Sequence, residues 1–358
     1  MNKGITLVAL IITIIILLIL AGVALNLAIN NGGLFSKTQE GVELYEQAGV
    51  NEQSELAIAE AEIDKWLNGG PASELKNNFI FIMDIPDSNK TYSLNIKSGT
   101  VDLTIDWGDG QTSVVTAYND VNRSHTYASA GVYTIKVAGV ASNAFSFAYE
   151  TRLISLISGF PENMCPGVGN LGDLFSNCTN LTGSIPEDLF ANCPNAWGFA
   201  YTFNYCRNLT GSIPEGLFAN CTKASNFNYT FAYCEKLTGS IPEGLFANCP
   251  DVASFAGTFR GCGGLTGSIP EGLFANCPDA GTFSQTFWNC SNLTGSIPEG
   301  LFVNCPNVGS FESTFYYCTS LTGPAPELWN RINVTNSEYC FQNCTGLSNY
   351  ASIPVTWK

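Results

Sequence analysis

Between residues 181 and 320 one 28-residue unit is written five times, opening on Leu181, Leu209, Leu237, Leu265 and Leu293. The first copy reads LTGSIPEDLFANCPNAWGFAYTFNYCRN. A shorter copy (156–180) precedes it, and a degraded one follows from Leu321. A fixed period of this kind constrains the fold more than any local propensity. One unit cannot bury its own apolar face and must stack on its neighbours, so a solenoid is expected.

Leu181, Leu189, Phe190, Cys193, Phe199, Phe203 and Cys206 keep their chemistry in every copy and form the predicted core ladder. Residues 181–185 read as a short strand. Ile185 and Pro186 then lead into Glu187, Leu189 and Phe190. Proline suits a first helical position, and glutamate suits the positive end of a helix dipole. The expectation is one strand and one or two short helical turns per repeat, stacked as a right-handed coil. From Cys165 to Cys318 the cysteines alternate at spacings of 13 and 15. An exported chain permits disulfides, whereas a solenoid core equally takes buried thiols as small hydrophobes. Thiols are favoured, because every cysteine except Cys165 and Cys340 follows a phenylalanine by three residues. Zinc is disfavoured: Cys-x-x-Cys knuckles are absent and the lone histidine lies elsewhere.

The pattern Phe203-x-x-Cys206-x-x-Leu209, repeated as Phe231-x-x-Cys234-x-x-Leu237, resembles the BspA-like leucine-rich-repeat surface proteins of bacteria. The resemblance implies a binding scaffold concerned with adhesion to host proteins and other cells. It names no ligand.

Residues 5–29 carry no charge. As a helix they would span roughly 37 Å, enough to cross a bilayer. Lys3 precedes them and acidic residues follow, which places the rest of the chain outside. The opening Met1-Asn2-Lys3-Gly4-Ile5-Thr6-Leu7-Val8 resembles a type IV prepilin leader, and the resemblance implies cleavage between Gly4 and Ile5. Ala9 stands where major pilins carry glutamate. That points to a minor pilin, a pseudopilin or a plain anchored protein, with an uncleaved anchor still open. In the next stretch, Leu56, Ala59, Ile63 and Trp66 share a helical face and read as a stalk.

From Asn78 the pattern turns to strands. Val101, Leu103 and Ile105 alternate with Asp102, Thr104 and Asp106, and a small antiparallel β-sandwich is expected. Asp106-Trp107-Gly108-Asp109-Gly110, His125-Thr126-Tyr127 and Gly131-x-Tyr133-x-Ile135 together resemble a PKD-like domain. This implies a surface-protein spacer. Asp106 and Asp109 read as turn residues before cation ligands, and His125 as a packed strand residue before a catalyst.

Net charge is −15 and the sequence pI is about 4.4, against nucleic acid as a partner. No nucleophile–base pair or paired-carboxylate constellation stands out, so neither an enzyme nor a cofactor is expected. Gly167-x-Gly169-x-x-Gly172 matches a dinucleotide fingerprint but falls in register with the repeats. Glu187, Glu215, Glu243, Glu271 and Glu299 recur once per unit. They read first as a solvated row and, more sharply, as a row of divalent-cation ligands. Positions that drift between copies are free to serve a ligand. Those around the repeat phenylalanine are rich in rings: Trp197, Tyr201, Tyr205, Tyr229, Tyr233, Trp288, Tyr316 and Tyr317. Exposed contiguous aromatics mark contact sites, so these form the candidate ligand-binding set. The bland reading is that they cover the gaps between turns.

The expected fold is multi-domain. A prepilin-like leader and transmembrane α-helix (1–30) precede a helical stalk and linker (31–77). A PKD-like β-sandwich (78–140) follows, and then a leucine-rich-repeat-like solenoid of α+β repeats (141–358). The expected function is membrane-anchored, cell-surface binding or adhesion, on a single-pass chain with its bulk extracellular, displayed as a minor pilin or pseudopilin. Expected partners are the membrane, an extracellular protein or glycan on host or neighbouring cells, and pilin subunits. The alternative is a structural spacer or assembly component of a type IV pilus-like system with no ligand of its own.

Overall fold

The computed structural model describes residues 76–142, 145–162, 164 and 169–358. The leader with Gly4 and Ile5, the apolar span 5–29 and the stalk up to residue 75 lie outside them. Membrane localisation is corrected here. Among the described residues no helix is long and apolar enough to cross a membrane.

Seven strands come first: β1 (Asn78–Ile85), β2 (Thr91–Ser93), β3 (Thr100–Asp106), β4 (Thr112–Ala117), β5 (Ser124–Thr126), β6 (Gly131–Ala141) and β7 (Leu153–Leu156). Five form an antiparallel sheet in the order β4-β3-β6-β1-β7, while β2 and β5 pair separately. The expected small antiparallel β-sandwich is thereby corrected to one open five-stranded sheet with a two-stranded ribbon. In β3, Val101, Leu103 and Ile105 are buried and Asp102 and Thr104 exposed, as a period of two requires. β1 is buried on both faces. Phe79, Phe81, Met83 and Ile85 join the main core, and Ile80 and Ile82 pack with Ile154 and Ile157.

The turn after β3 shows why its aspartates are there. Asp106 Oδ1 accepts the Gly108 N–H (3.0 Å) and Asp109 Oδ1 accepts the Gln111 N–H (3.1 Å). Gly108 has φ +79°, and a Cβ there would press on the Thr134 carbonyl oxygen. His125 stacks on Trp107 (5.2 Å), meets Tyr127 edge-on (4.6 Å) and bonds Asp109 Oδ2 through Nε2 (2.8 Å).

The repeats are not α+β units. Residues 181–185 form no strand, and each expected helix is reduced to single turns, such as Leu189 N–H to Pro186 O (3.1 Å) and Ala191 N–H to Asp188 O (3.0 Å). Helix nucleation is costly and is recovered only over several residues, and the segment between Pro186 and Cys193 is too short for that. Glycine at 216, 244, 272 and 300 weakens it further in later copies.

The turns instead join through the segment around the second and third phenylalanines. Single parallel bridges link Asn170, Gly198, Asn226, Ser254, Thr282, Ser310 and Asn336 in succession. The N–H groups of Phe199, Tyr201, Phe203 and Tyr205 donate forward to carbonyls of Asn226, Asn228, Thr230 and Ala232. Between them, Thr202, Asn204 and Cys206 donate to carbonyls three residues back (3.0–3.2 Å). Half of the ribbon is ladder and half is consecutive β-turns.

This alternation requires a left-handed residue every fourth position. Tyr201 and Tyr205 both have φ +60°, Tyr229 +53° and Tyr233 +59°; Gly257, Gly261, Gln285, Asn289, Ser313 and Tyr317 take the same slots further along. Phenylalanine rings fill the interior as three columns, represented by Phe190–Phe218 (5.9 Å), Phe199–Phe227 (5.4 Å) and Phe203–Phe231 (5.6 Å). Buried polar groups are each satisfied across turns. Thr230 Oγ1 donates to the carbonyls of Phe199 (2.9 Å) and Phe227 (2.8 Å). On the exposed side, Asn248 Nδ2 likewise donates to Ala219 O of the preceding turn (2.9 Å). Cys234 Sγ donates to Phe203 O (3.1 Å). All described cysteines are free and buried.

The sheet and the solenoid share one core. Phe147 N–H donates to Leu174 O (2.8 Å) and Tyr149, at φ +64°, to Ser176 O (2.7 Å), the same pairing as in later turns. Leu153 stands 28 residues before Leu181, so β7 is both the edge of the sheet and the first rung of the coil. Phe79 stacks on Phe160 (4.4 Å), and Phe147 on Phe175 (5.6 Å). At the other end Cys340 occupies the buried threonine slot, and Ser337 stands where a phenylalanine is due. Trp357 folds back to replace that ring, 6.3 Å from Phe311 and 6.2 Å from Phe341. Trp357→Ala should therefore cost about 3 kcal/mol, confined to the last turns. Hydrogen exchange of Phe341 and its neighbours should accelerate while that of Phe203 stays unchanged. Equal acceleration at both would show that Trp357 is no local cap.

Candidate ligand-binding face

The left-handed slots other than that of Ser313, which is buried, place their side chains on the outside of the ribbon, because the flanking phenylalanines and threonines turn inward. Trp197 (48% exposed), Tyr201 (38%) and Tyr317 (43%) are the most open of the expected rings. Tyr205, Tyr229, Tyr233, Trp288 and Tyr316 are half-buried. Tyr339 (49% exposed) belongs to the same row and was not legible, because the last copy is two residues short.

The rings are stacked on one another. Tyr201 and Tyr229 lie 5.1 Å apart at 7°, Tyr205 and Tyr233 4.5 Å apart at 18°, and Trp288 and Tyr316 5.8 Å apart at 2°. Tyr233 meets Trp288 at 6.4 Å and 62°, which joins the two groups. Trp197 stands apart, its indole against Gly169. Stacking occupies the ring faces, and the hydroxyls of Tyr229 and Tyr233 are bonded to Gln285 and Arg260. Burial raises the Tyr201 phenol above its ordinary pKa, with Tyr229 and Asp173 adding to it, so it stays protonated as a donor. Two arginines lie over the row, Arg207 on Tyr205 (5.1 Å) and Arg260 on Tyr233 (5.5 Å) and Trp288 (4.4 Å).

Beside the rings runs a row of small polar groups. Ser254 Oγ donates to Asn228 Oδ1, Ser284 and Ser310 share a hydrogen bond (2.6 Å), and Asn336 Nδ2 donates to Glu312 Oε2 (3.0 Å).

No family model matches the chain, and no curated protein matches it. Among solved structures it is similar to a TDR receptor, at 21% identity over 52% of this chain and 38% of that one, with a TM-score of 0.30. It is also similar to the Arabidopsis receptor kinase HAESA, solved with the peptide hormone IDA and the co-receptor SERK1. There the identity is 22% over 55% of this chain and 41% of that one, with a TM-score of 0.28. The chain spans about two fifths of the length of these structures. The repeat architecture rests on the chain's own ladders, not on these likenesses.

Glu187, Glu215, Glu243, Glu271 and Glu299 are all exposed. The carboxylates of Glu215, Glu243 and Glu271 rest over Gly244, Gly272 and Gly300 of the following copy. Among the described residues no three His, Cys, Asp or Glu side chains converge as metal ligands. A shallow groove of about 680 Å³ lies away from the rings, lined by Thr222, Ala247, Asn248, Pro250 and Asn276 among others. The amides of Asn248 and Asn276 are spent on carbonyls of the preceding turn (both 2.9 Å), and no titratable group lines it.

Proposed function

We propose that this chain is a non-catalytic, leucine-rich-repeat-like binding protein that holds an extracellular protein ligand against the outward row of Trp197, Tyr201, Tyr205, Tyr229, Tyr233, Trp288, Tyr316 and Tyr317. The observation that carries the reading is the row itself. Tyr201, Tyr205, Tyr229, Tyr233 and Tyr317 are set outward by a left-handed backbone, Trp197, Trp288 and Tyr316 stand beside them on ordinary backbone, and all are part-exposed beside small polar groups. Tyrosine and tryptophan lose little conformational entropy on contact and are common binding anchors. Changing Tyr201, Tyr205 and Tyr233 together to Ser should abolish adhesion of the folded protein to its target. Folding is checked by the thermal transition. Adhesion that persists in the triple variant, yet is lost in Thr210→Lys, moves the binding face to the other side of the coil.

One observation favours a second reading, a spacer without a ligand of its own. The ring faces are occupied by neighbouring rings, as a cover over the gaps between turns requires. The triple variant separates the two: a spacer loses stability and no binding.

A further inference from the structure

In the third copy the tyrosine row is interrupted. Gly257 and Gly261, at φ +62° and +71°, take the slots of Tyr229 and Tyr233. A Cβ at either would overlap the ring of the tyrosine one turn earlier, so Tyr229 and Tyr233 lean into the space. Arg260 stands between the two glycines. Its guanidinium lies over Trp288 (4.4 Å) and Tyr233 (5.5 Å). Nε donates to the Tyr233 hydroxyl (3.0 Å) and Nη1 to Gln285 Oε1, which also accepts from the Tyr229 hydroxyl (3.4 Å).

Every one of these partners is neutral. Arg207, by contrast, pairs with Glu235 (3.3 Å) and Arg152 with Glu150 (2.7 Å). Among the described residues no carboxylate pairs with Arg260, although the chain holds 30 acidic residues. A guanidinium has five donors in a planar fork, and two are used here. The side chain is half-buried, its plane is set by the indole, and the remaining donors keep a full positive charge. Such a fork matches a carboxylate, by two parallel bonds where the approach is open.

We infer that Arg260, framed by Tyr233, Gln285 and Trp288, is a carboxylate-binding subsite that receives an aspartate or glutamate side chain from an acidic segment of the protein ligand. This rests on the ring row being the binding face. A carboxylate is planar, as the guanidinium is, and can meet its remaining donors edge to edge where the indole fixes their plane.

The test uses the full chain, with an oligoglutamate peptide as probe and its oligoglutamine counterpart as control. Binding is followed by indole fluorescence and by calorimetry at low and high salt. The expected result is that oligoglutamate binds, more weakly in salt, and that oligoglutamine does not. Arg260→Gln should weaken binding tenfold or more, and Arg260→Lys should restore part of it. Trp288→Phe should remove the fluorescence change but keep the heat. Equal binding of oligoglutamate by Arg260→Gln and the parent, or no binding by the parent, overturns the subsite. The double change Tyr201→Ser with Tyr205→Ser removes no residue in contact with Arg260, and retained Arg260-dependent oligoglutamate binding checks that the cluster survives the loss of the rings stacked on Tyr229 and Tyr233. Adhesion to the natural target that survives it, while oligoglutamate binding still depends on Arg260, sinks the row and keeps the subsite.

Discussion

Raising the pH from 8 to 11 should unfold the solenoid cooperatively, without heat or denaturant. Twelve thiols of the cysteine columns are pushed up by burial, Cys178, Cys249, Cys262 and Cys344 to about 12 and Cys305 to about 11. An unfolded thiol ionises near pH ~8.5. Above that value the unfolded chain binds fewer protons than the folded one, so stability falls as pH rises. It is fully present below ~8.5 and is lost on the way to about 12. Each thiol that stays protonated in the fold costs on the order of 1 kcal/mol of stability per pH unit in that window, and all of them act in the same sense. A folded domain has about 5–15 kcal/mol in total. The midpoint should therefore fall within about one or two pH units of the unfolded thiol pKa. Near-ultraviolet circular dichroism and thiolate absorbance, recorded under reductant, should change together. Changing Cys249, Cys277 and Cys305 to Ala should make the dependence shallower. Thiolate absorbance that rises while the tertiary signal persists would mean that the thiols titrate in the folded chain and are not sealed.

Phe259→Ala should cost about 3–5 kcal/mol. The ring is fully buried, stacked between Phe231 (5.8 Å, 3°) and Phe287 (5.7 Å, 12°), and angled against Phe246 (6.2 Å). Both neighbouring turns lose a stacking partner, and a ribbon of this kind has little freedom to collapse. Units of a solenoid are coupled mainly to nearest neighbours, so the loss falls on one interface and should split the unfolding transition in two. Urea unfolding followed by tyrosine and tryptophan fluorescence reads both effects. A loss below ~1 kcal/mol would place the ring outside the column.

The repeat and its core were legible in the sequence because burial imposes sameness. Leu181, Leu189, Phe190, Cys193, Phe199, Phe203 and Cys206 recur, and each is fully buried. The route of the backbone was not legible. Proline followed by glutamate imitates a helix start, and nothing in Leu-Thr-Gly-Ser-Ile reveals that its turn-to-turn bonds are sparse. The Thr202 row was passed over, although threonine is as constant there as phenylalanine beside it. A hydroxyl that serves two buried carbonyls looks in a sequence like a surface residue. Drift in the ring rows carried a second message. Tyrosine there exchanges with glycine, asparagine, glutamine and serine, and glycine and asparagine favour a left-handed backbone. Drift between copies implies freedom from constraint in the sequence; the structure adds a constraint on φ.

The thiol, threonine and asparagine donors that bridge turns of the coil, the first two buried and the last exposed, reach toward the preceding turn. Cys234 reaches back to Phe203, Thr258 to Phe227, Asn276 to Ala247 and Cys318 to Phe287. No turn depends on a later one to satisfy these groups, but each depends on the one before. A chain leaves the ribosome amino end first, so each newly made turn meets a template whose acceptors are already in place. Growth in the opposite sense would strand hydroxyls, amides and thiols at the advancing tip. The coil thus has a grammatical order as well as a period, and β7 is where its first sentence begins.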